Sequence, residues 1–305
     1  MIRTARVLGV VLLCASGWAT ACTANPPSSS SFGSTTAPAP PGTANPPGTA
    51  PAPRGERVTF TSGDLTLEGY VFRPPGAGPF PAVLWNHGSE KDPTTGQFEA
   101  IASVFVPAGF VVFAPVRRGH GSSPGAYVID QIRAAAAGGD LNAANALQVQ
   151  LLGGPHLDDQ LAGLAWLDEQ PYVDRAKVAV AGCSFGGIET LLGAAKAGGT
   201  GYQAAVAMSA GAETWALNEQ LRTRLLAAVD ELSVPVLLIQ PEHDVDVSPG
   251  YELGRALQEK GKPYGLEIIP PFGTPRQQGH CFGGQGGDLW GPGAVHFLRQ
   301  ALHLP

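Results

Sequence analysis

The 305 residues allow one large domain or two small ones, and at 44% hydrophobic they supply a sizeable core. Only 14% are charged, the net charge is −6, and no Lys/Arg cluster stands out, which argues against a nucleic-acid partner. The four cysteines, Cys14, Cys22, Cys183 and Cys281, show none of the Cys/His spacings of a metal site, so no metal is expected; no organic cofactor is expected either.

Arg3 and Arg6 precede an apolar run from Val7 to about Ala21 that is too short to span a bilayer comfortably. With Ala19-Thr20-Ala21 at its end, residues 1–21 read as a secretory signal peptide. The segment also resembles a bacterial lipoprotein signal, in which the cysteine after a small residue is diacylated. That resemblance implies a membrane attachment through Cys22 and a cell-envelope location; simple cleavage near Cys22, giving a secreted protein, is the alternative. The stretch that follows is Pro, Ser, Thr, Gly and Ala with almost no large apolar side chain. It cannot bury enough surface to offset ordering entropy. Residues 22–55 are therefore expected to be a tether and residues 56–305 the folded domain.

In that domain Val58-Thr59-Phe60 and Leu65 to Phe72 read as two strands joined by a turn at Ser62-Gly63-Asp64. Pro81 to Trp85 reads as a buried strand, Gln97 to Val106 as a helix and Phe110 to Ala114 as the next strand. The alanine-rich residues 124–153 suggest a small helical excursion, and Leu157, Leu161, Leu164 and Leu167 repeat at helical spacing. Val178 to Ala181 then predicts a buried strand, and Ile188 to Ala195 a helix. Strands at Ala204–Ser209, Val234–Gln240 and Leu266–Ile269, with helices at Tyr251–Gln258 and Pro292–Leu302, complete the pattern. Alternating strands and helices predict an α/β fold, a mostly parallel sheet with helices on both faces and sites at the strands' carboxyl ends.

Between the strand at Val178–Ala181 and its helix, Gly182-Cys183-Ser184-Phe185-Gly186 spells G-x-S-x-G, the turn that exposes a nucleophilic serine. A serine hydroxyl needs a base, and the base an orienting acid. Of seven histidines, His156 and His296 fall on or beside helices, and His303 lies in the tail. His87 and His120 precede glycines in early loops and read as structural, and His243 sits in the acidic turn itself. His280, in a glycine-rich loop after the last strand, is the expected base. The expected acid is Asp244, three residues past Pro241 in the turn after the Val234–Gln240 strand, with Asp246 the alternative.

The order Ser184…Asp244…His280 resembles that of the α/β-hydrolase superfamily over about residues 57–305. Trp85-Asn86-His87-Gly88-Ser89 is similar to that superfamily's H-G loop. The resemblance implies an oxyanion hole made by the N–H groups of Ser89 and Phe185. Gly-Cys-Ser-Phe-Gly-Gly resembles the dienelactone-hydrolase and prolyl-oligopeptidase-like branch, although dienelactone hydrolases carry cysteine where Ser184 stands. The pattern Cys-Ser…Asp…His-Cys resembles the tannase and feruloyl-esterase family, which implies a disulfide between Cys183 and Cys281. The expectation is an exported serine hydrolase that takes a small-molecule carboxylic ester. A peptidase for short peptides and a non-catalytic binding protein that retained the fold are the alternatives.

Overall fold

The computed structural model describes residues 53–271, 279–280 and 286–305. An eight-stranded sheet runs in the order β1-β2-β4-β3-β5-β6-β7-β8. Its strands are β1 (Glu56–Ser62), β2 (Leu65–Phe72), β3 (Phe80–Asn86), β4 (Val111–Val116), β5 (Val173–Cys183), β6 (Ala204–Met208), β7 (Val236–Pro241) and β8 (Tyr264–Ile269). β1 pairs with β2 and β2 with β4 antiparallel, and every other neighbouring pair is parallel. Strand polarity therefore brings the ends of β3, β5, β6 and β7 to one edge.

Side chains on successive strand residues leave by opposite faces, and the core divides accordingly. Val178 and Val180 of β5 join one apolar cluster, Ala179 and Ala181 the other, and Val236/Leu238 and Leu237/Ile239 of β7 divide the same way. A parallel sheet buried on both faces reads as a continuous apolar run, which is the pattern of β3 through β7. On one face lie α1 (Thr95–Phe105) and α8 (Gly287–Ala301), through Phe98, Phe105, Trp290 and Leu298. The other face carries α2 (Val128–Ala136), α3 (Leu141–Gly153), α4 (Pro155–Asp168), α5 (Phe185–Ala197), α6 (Glu219–Glu231) and α7 (Ser248–Glu259).

The mostly parallel α/β sheet and the helical excursion, α2 and α3, are as the sequence predicts. Two elements differ. α6 has no counterpart in the sequence reading, although Leu221, Leu225, Ala228 and Val229 make a buried stripe and Asn218 caps its first turn through Leu221 N–H. α8 contains Pro292 rather than starting at it. The proline is the sixth residue of the helix, so it withholds the N–H that would have bonded the Asp288 carbonyl one turn earlier. Among the described residues no helix is long and apolar enough to cross a membrane.

Candidate active site

β5 ends at Cys183 and α5 begins at Phe185, leaving Ser184 alone in the turn with φ 58° and ψ −119°. A non-glycine residue rarely adopts that backbone, and such strain persists only where the surroundings over-determine it. Here they do. The Ser184 N–H donates to Met208 O at 3.0 Å, and Ser184 O accepts the Ile188 N–H at 3.0 Å. The flanking glycines leave no room for a side chain: a Cβ on Gly186 would lie 2.0 Å from Asn86 O, and one on Gly182 2.5 Å from Gly186 O. Strand, loop and helix thus meet backbone to backbone, and the serine side chain projects from the junction.

His280 joins Ser184 to Asp244. Its Nε2 lies 2.9 Å from Ser184 Oγ, and its Nδ1 lies 2.7 Å from Asp244 Oδ1. The carboxylate is 3% exposed and is held at both oxygens. Gln240 Nε2 donates to Oδ2 at 2.6 Å, and the Val245 N–H donates to Oδ1 at 2.6 Å. An Asp244 anion accepting from Nδ1–H leaves Nε2 as the acceptor facing Ser184. Burial pushes His280 down, but the hydrogen bond and charge of Asp244, with a contribution from Glu213, outweigh it and raise the imidazole above its ordinary value. Asp246 takes no part: its Oδ1 accepts the Ser248 N–H at 2.8 Å, at the start of α7. Of the expected acid Asp244 and its alternative Asp246, the structure brings Asp244 to His280. Gly279 makes the approach possible, since a Cβ there would lie 1.8 Å from His243 O.

The residues expected to bind an oxyanion flank the serine. Phe185 is the first residue of α5, so its N–H has no intrahelical acceptor. Ser89 lies just past β3, in a loop whose Gly88 sits beside Cys183 O, 3.8 Å from where a Cβ would be. Behind that loop lies a buried polar cluster that sequence reasoning missed. His87, Arg117, His120, His156, Asp159 and Glu189 are each no more than 2% exposed. Desolvation holds His120 at about 3 and His156 at about 2, and keeps His87 well below the ordinary value, with the Arg117 charge adding to each. These rings are neutral, which accords with the structural reading of His87 and His120. Burial raises Glu189 to about 8 despite Arg117.

Cys183 is buried and disulfide-bonded. Cys281, the signal segment and Cys22 lie outside the described residues. Among the described residues no cluster of His, Cys, Asp or Glu could hold a metal ion.

The sequence matches the X-Pro dipeptidyl-peptidase (S15) family over residues 63–233, more than half of the chain. Among curated proteins nothing matches. Solved structures share the fold at low identity. A Pyrococcus furiosus esterase is 18% identical with TM-score 0.57, and the match covers 82% of this chain and 93% of that one. A Mycobacterium tuberculosis puromycin-hydrolyzing peptidase is 20% identical with TM-score 0.59, covering 83% of this chain and 40% of that one. A Pyrococcus horikoshii acylaminoacyl peptidase is 18% identical with TM-score 0.55, over 75% of this chain. The chain spans 40% of the length of that acylaminoacyl peptidase. With a strained serine on a strand–helix turn, a sheet shared with α/β-hydrolases and a match across most of the domain's first two-thirds, the chain belongs to the X-Pro dipeptidyl-peptidase (S15) family.

Proposed function

We propose that this protein is a serine hydrolase that cleaves carboxylic esters through Ser184, His280 and Asp244. The observation that carries the reading is the unbroken hydrogen-bonded chain from Ser184 Oγ through His280 to a buried Asp244. Ser184 Oγ attacks the acyl carbon while His280 Nε2 accepts its proton, and Asp244 stabilises the resulting imidazolium. The negative charge on the tetrahedral oxygen falls between the Phe185 and Ser89 N–H groups. His280 returns the proton to the leaving alcohol, and water then attacks the acyl-enzyme by the same route. The ester reading is supported by the esterase fold-mate, which the chain covers over nearly its whole length. A second reading, hydrolysis of short peptides, is supported by the family match.

The test is a panel of esters of varied acyl length beside a panel of dipeptide and aminoacyl amides, with fluorophosphonate labelling. Turnover of esters above amides, and label on the wild type but not on Ser184→Ala, is expected. Preference for amides would replace the ester reading by the peptidase one, and an unlabelled wild type would leave only a binding protein.

The proposal extends to the chain's setting. Residues 1–21 direct export, and acylated Cys22 ties the domain to a membrane through the proline-rich tether. A wild type that stays soluble with an unmodified Cys22 would reduce this to secretion. Cys183 and Cys281 form a disulfide across the serine and histidine loops, supported by the bonded state of Cys183 and by export to a compartment where disulfides persist. Free thiols at both positions in the denatured, unreduced protein would refute it.

A further inference from the structure

The loop after β3 is gripped along its whole length by the segment that follows β4. Arg117 Nη2 donates to His87 O at 2.8 Å and to Gly88 O at 2.7 Å. Tyr127 Oη donates to Ser89 O, His120 Nδ1 lies 2.7 Å from Glu90 O, and the Gly121 N–H donates to Lys91 O at 2.8 Å. Five consecutive carbonyls, from His87 to Lys91, are thus held by residues 117–127. His87 reinforces the grip. The Arg117 N–H donates to its Nε2 at 3.2 Å, so the ring proton sits on Nδ1, 3.0 Å from Gly88 O. Gly88 O therefore receives two donors.

A trans peptide unit is planar, and the C=O of one residue and the N–H of the next point in opposite directions. Fixing the Gly88 carbonyl on Arg117 fixes the Ser89 N–H in the opposite sense, away from the guanidinium. The elbow closes against the same loop, since a Cβ on Gly186 would lie 2.0 Å from Asn86 O and 2.7 Å from His87 O. Arg117 is 1% exposed, and its Nε and Nη1 make no hydrogen bond among the described atoms. Burying a guanidinium is costly, and here only Nη2 is matched with acceptors, both of them carbonyls of this loop. Glu189, Glu90 and Asp159 lie near enough to offset part of its charge.

We propose that Arg117 is a positioning residue that aims the Ser89 N–H at the oxyanion by holding the carbonyl of the same peptide plane. The inference rests on the serine-hydrolase reading and names a residue through which that site is pre-organised. It also separates Arg117 from Tyr127. The Ser89 carbonyl shares its plane with the Glu90 N–H, so loss of the Tyr127 bond leaves the Ser89 N–H in place.

The experiment compares the full-length wild type with Arg117→Lys, Arg117→Gln and Tyr127→Phe. Sites are titrated with a fluorophosphonate, so that kcat is expressed per competent serine. Affinity is measured for a trifluoromethyl ketone, which forms an alkoxide on the serine, and for a product-like alcohol, which does not. Arg117→Lys, whose single ammonium lacks the reach and fork of a guanidinium, should lose about 10- to 100-fold in kcat per site, less than the roughly 10²- to 10³-fold lost when an oxyanion donor is removed outright. Its ketone affinity should fall in parallel, while KM and alcohol affinity change by less than about 3-fold. Arg117→Gln should do the same or worse, and Tyr127→Phe should keep kcat within about 3-fold. If the Arg117 variants lose titratable sites or thermal stability but keep wild-type kcat per site and ketone affinity, the residue serves folding alone and the inference is overturned. Equal kcat losses in Tyr127→Phe and Arg117→Lys would also overturn it. A wild type that takes no label would overturn the hydrolase reading and this inference together.

Discussion

His280 is where residue-scale electrostatics become a measurable rate. Its burial disfavours the imidazolium, and the Asp244 carboxylate 2.7 Å away favours it by more, so its titration lies above that of an ordinary imidazole. A base must be neutral to accept a proton, so the acid limb of kcat/KM should lie above the usual value of about 6.5. In Asp244→Asn the charge is gone, and the limb should move to lower pH while kcat falls about 10³- to 10⁴-fold. Glu213 is exposed and contributes least of the charges acting on His280, so Glu213→Gln should move the limb the same way by less and keep most of kcat. Asp246→Asn should leave the pH profile unchanged, because that carboxylate caps the Ser248 N–H and does not touch His280. A limb that stayed in place in Asp244→Asn would show that another group sets it.

At the scale of elements, the elbow depends on three backbones in contact. Gly186→Ala would place a methyl 2.0 Å from Asn86 O and 2.7 Å from His87 O, both backbone atoms that cannot swing aside. The end of β3 must then shift, and the loop bearing Ser89 with it. Gly186→Ala should therefore lower stability by about 1–3 kcal/mol and activity by more than its stability loss explains. Gly138→Ala, in open space between α2 and α3, is the control and should leave both unchanged. Denaturant titration and kcat on the same preparations check the pair. The elbow was legible in the sequence because it is local: a strand, G-x-S-x-G and a helix lie within twenty-five residues, and glycines mark the close approaches. β2 was legible to the residue for the same reason, since Leu65–Phe72 alternates and its turn carries Gly63. α6 was not read, because a charged, solvent-facing stretch hides the stripe of Leu221, Leu225, Ala228 and Val229. Asp244 is the acid expected from the sequence, but Asp246 follows the same strand, and only placement in the fold separates the two. The Arg117 grip was out of reach altogether. It joins a side chain to carbonyls about thirty positions earlier, and no spacing rule connects β3 to the end of β4 before their pairing is known.

For the whole molecule, the buried polar cluster sets how stability depends on pH. His87, His120 and His156 are neutral in the fold, with His120 at about 3 and His156 at about 2. Once unfolded, each binds a proton below about 6.5. The unfolded chain then carries more protons than the native one, so stability rises with pH in this window and is lost as pH falls from about 6.5 toward 3. Glu189 works in the opposite sense: raised to about 8, it is protonated in the fold and releases its proton on unfolding above about 4.5, so its contribution is lost as pH rises toward 8. The two groups place maximum stability near neutrality. Below about pH 4.5 the histidines act unopposed by Glu189, and three protons correspond to at most about 4 kcal/mol per pH unit. His156 gives the sharpest test, because neither ring nitrogen has a hydrogen-bond partner among the described residues, so an apolar aromatic ring would lose none of those bonds. His156→Phe should therefore flatten the acid arm by one proton, about 1.4 kcal/mol per pH unit, and Glu189→Gln should flatten the alkaline arm instead. Urea unfolding of the wild type and both variants at half-unit steps from pH 4 to 9 measures the slopes. An acid arm equally steep in His156→Phe would mean that this ring is charged in the fold or stays neutral after unfolding.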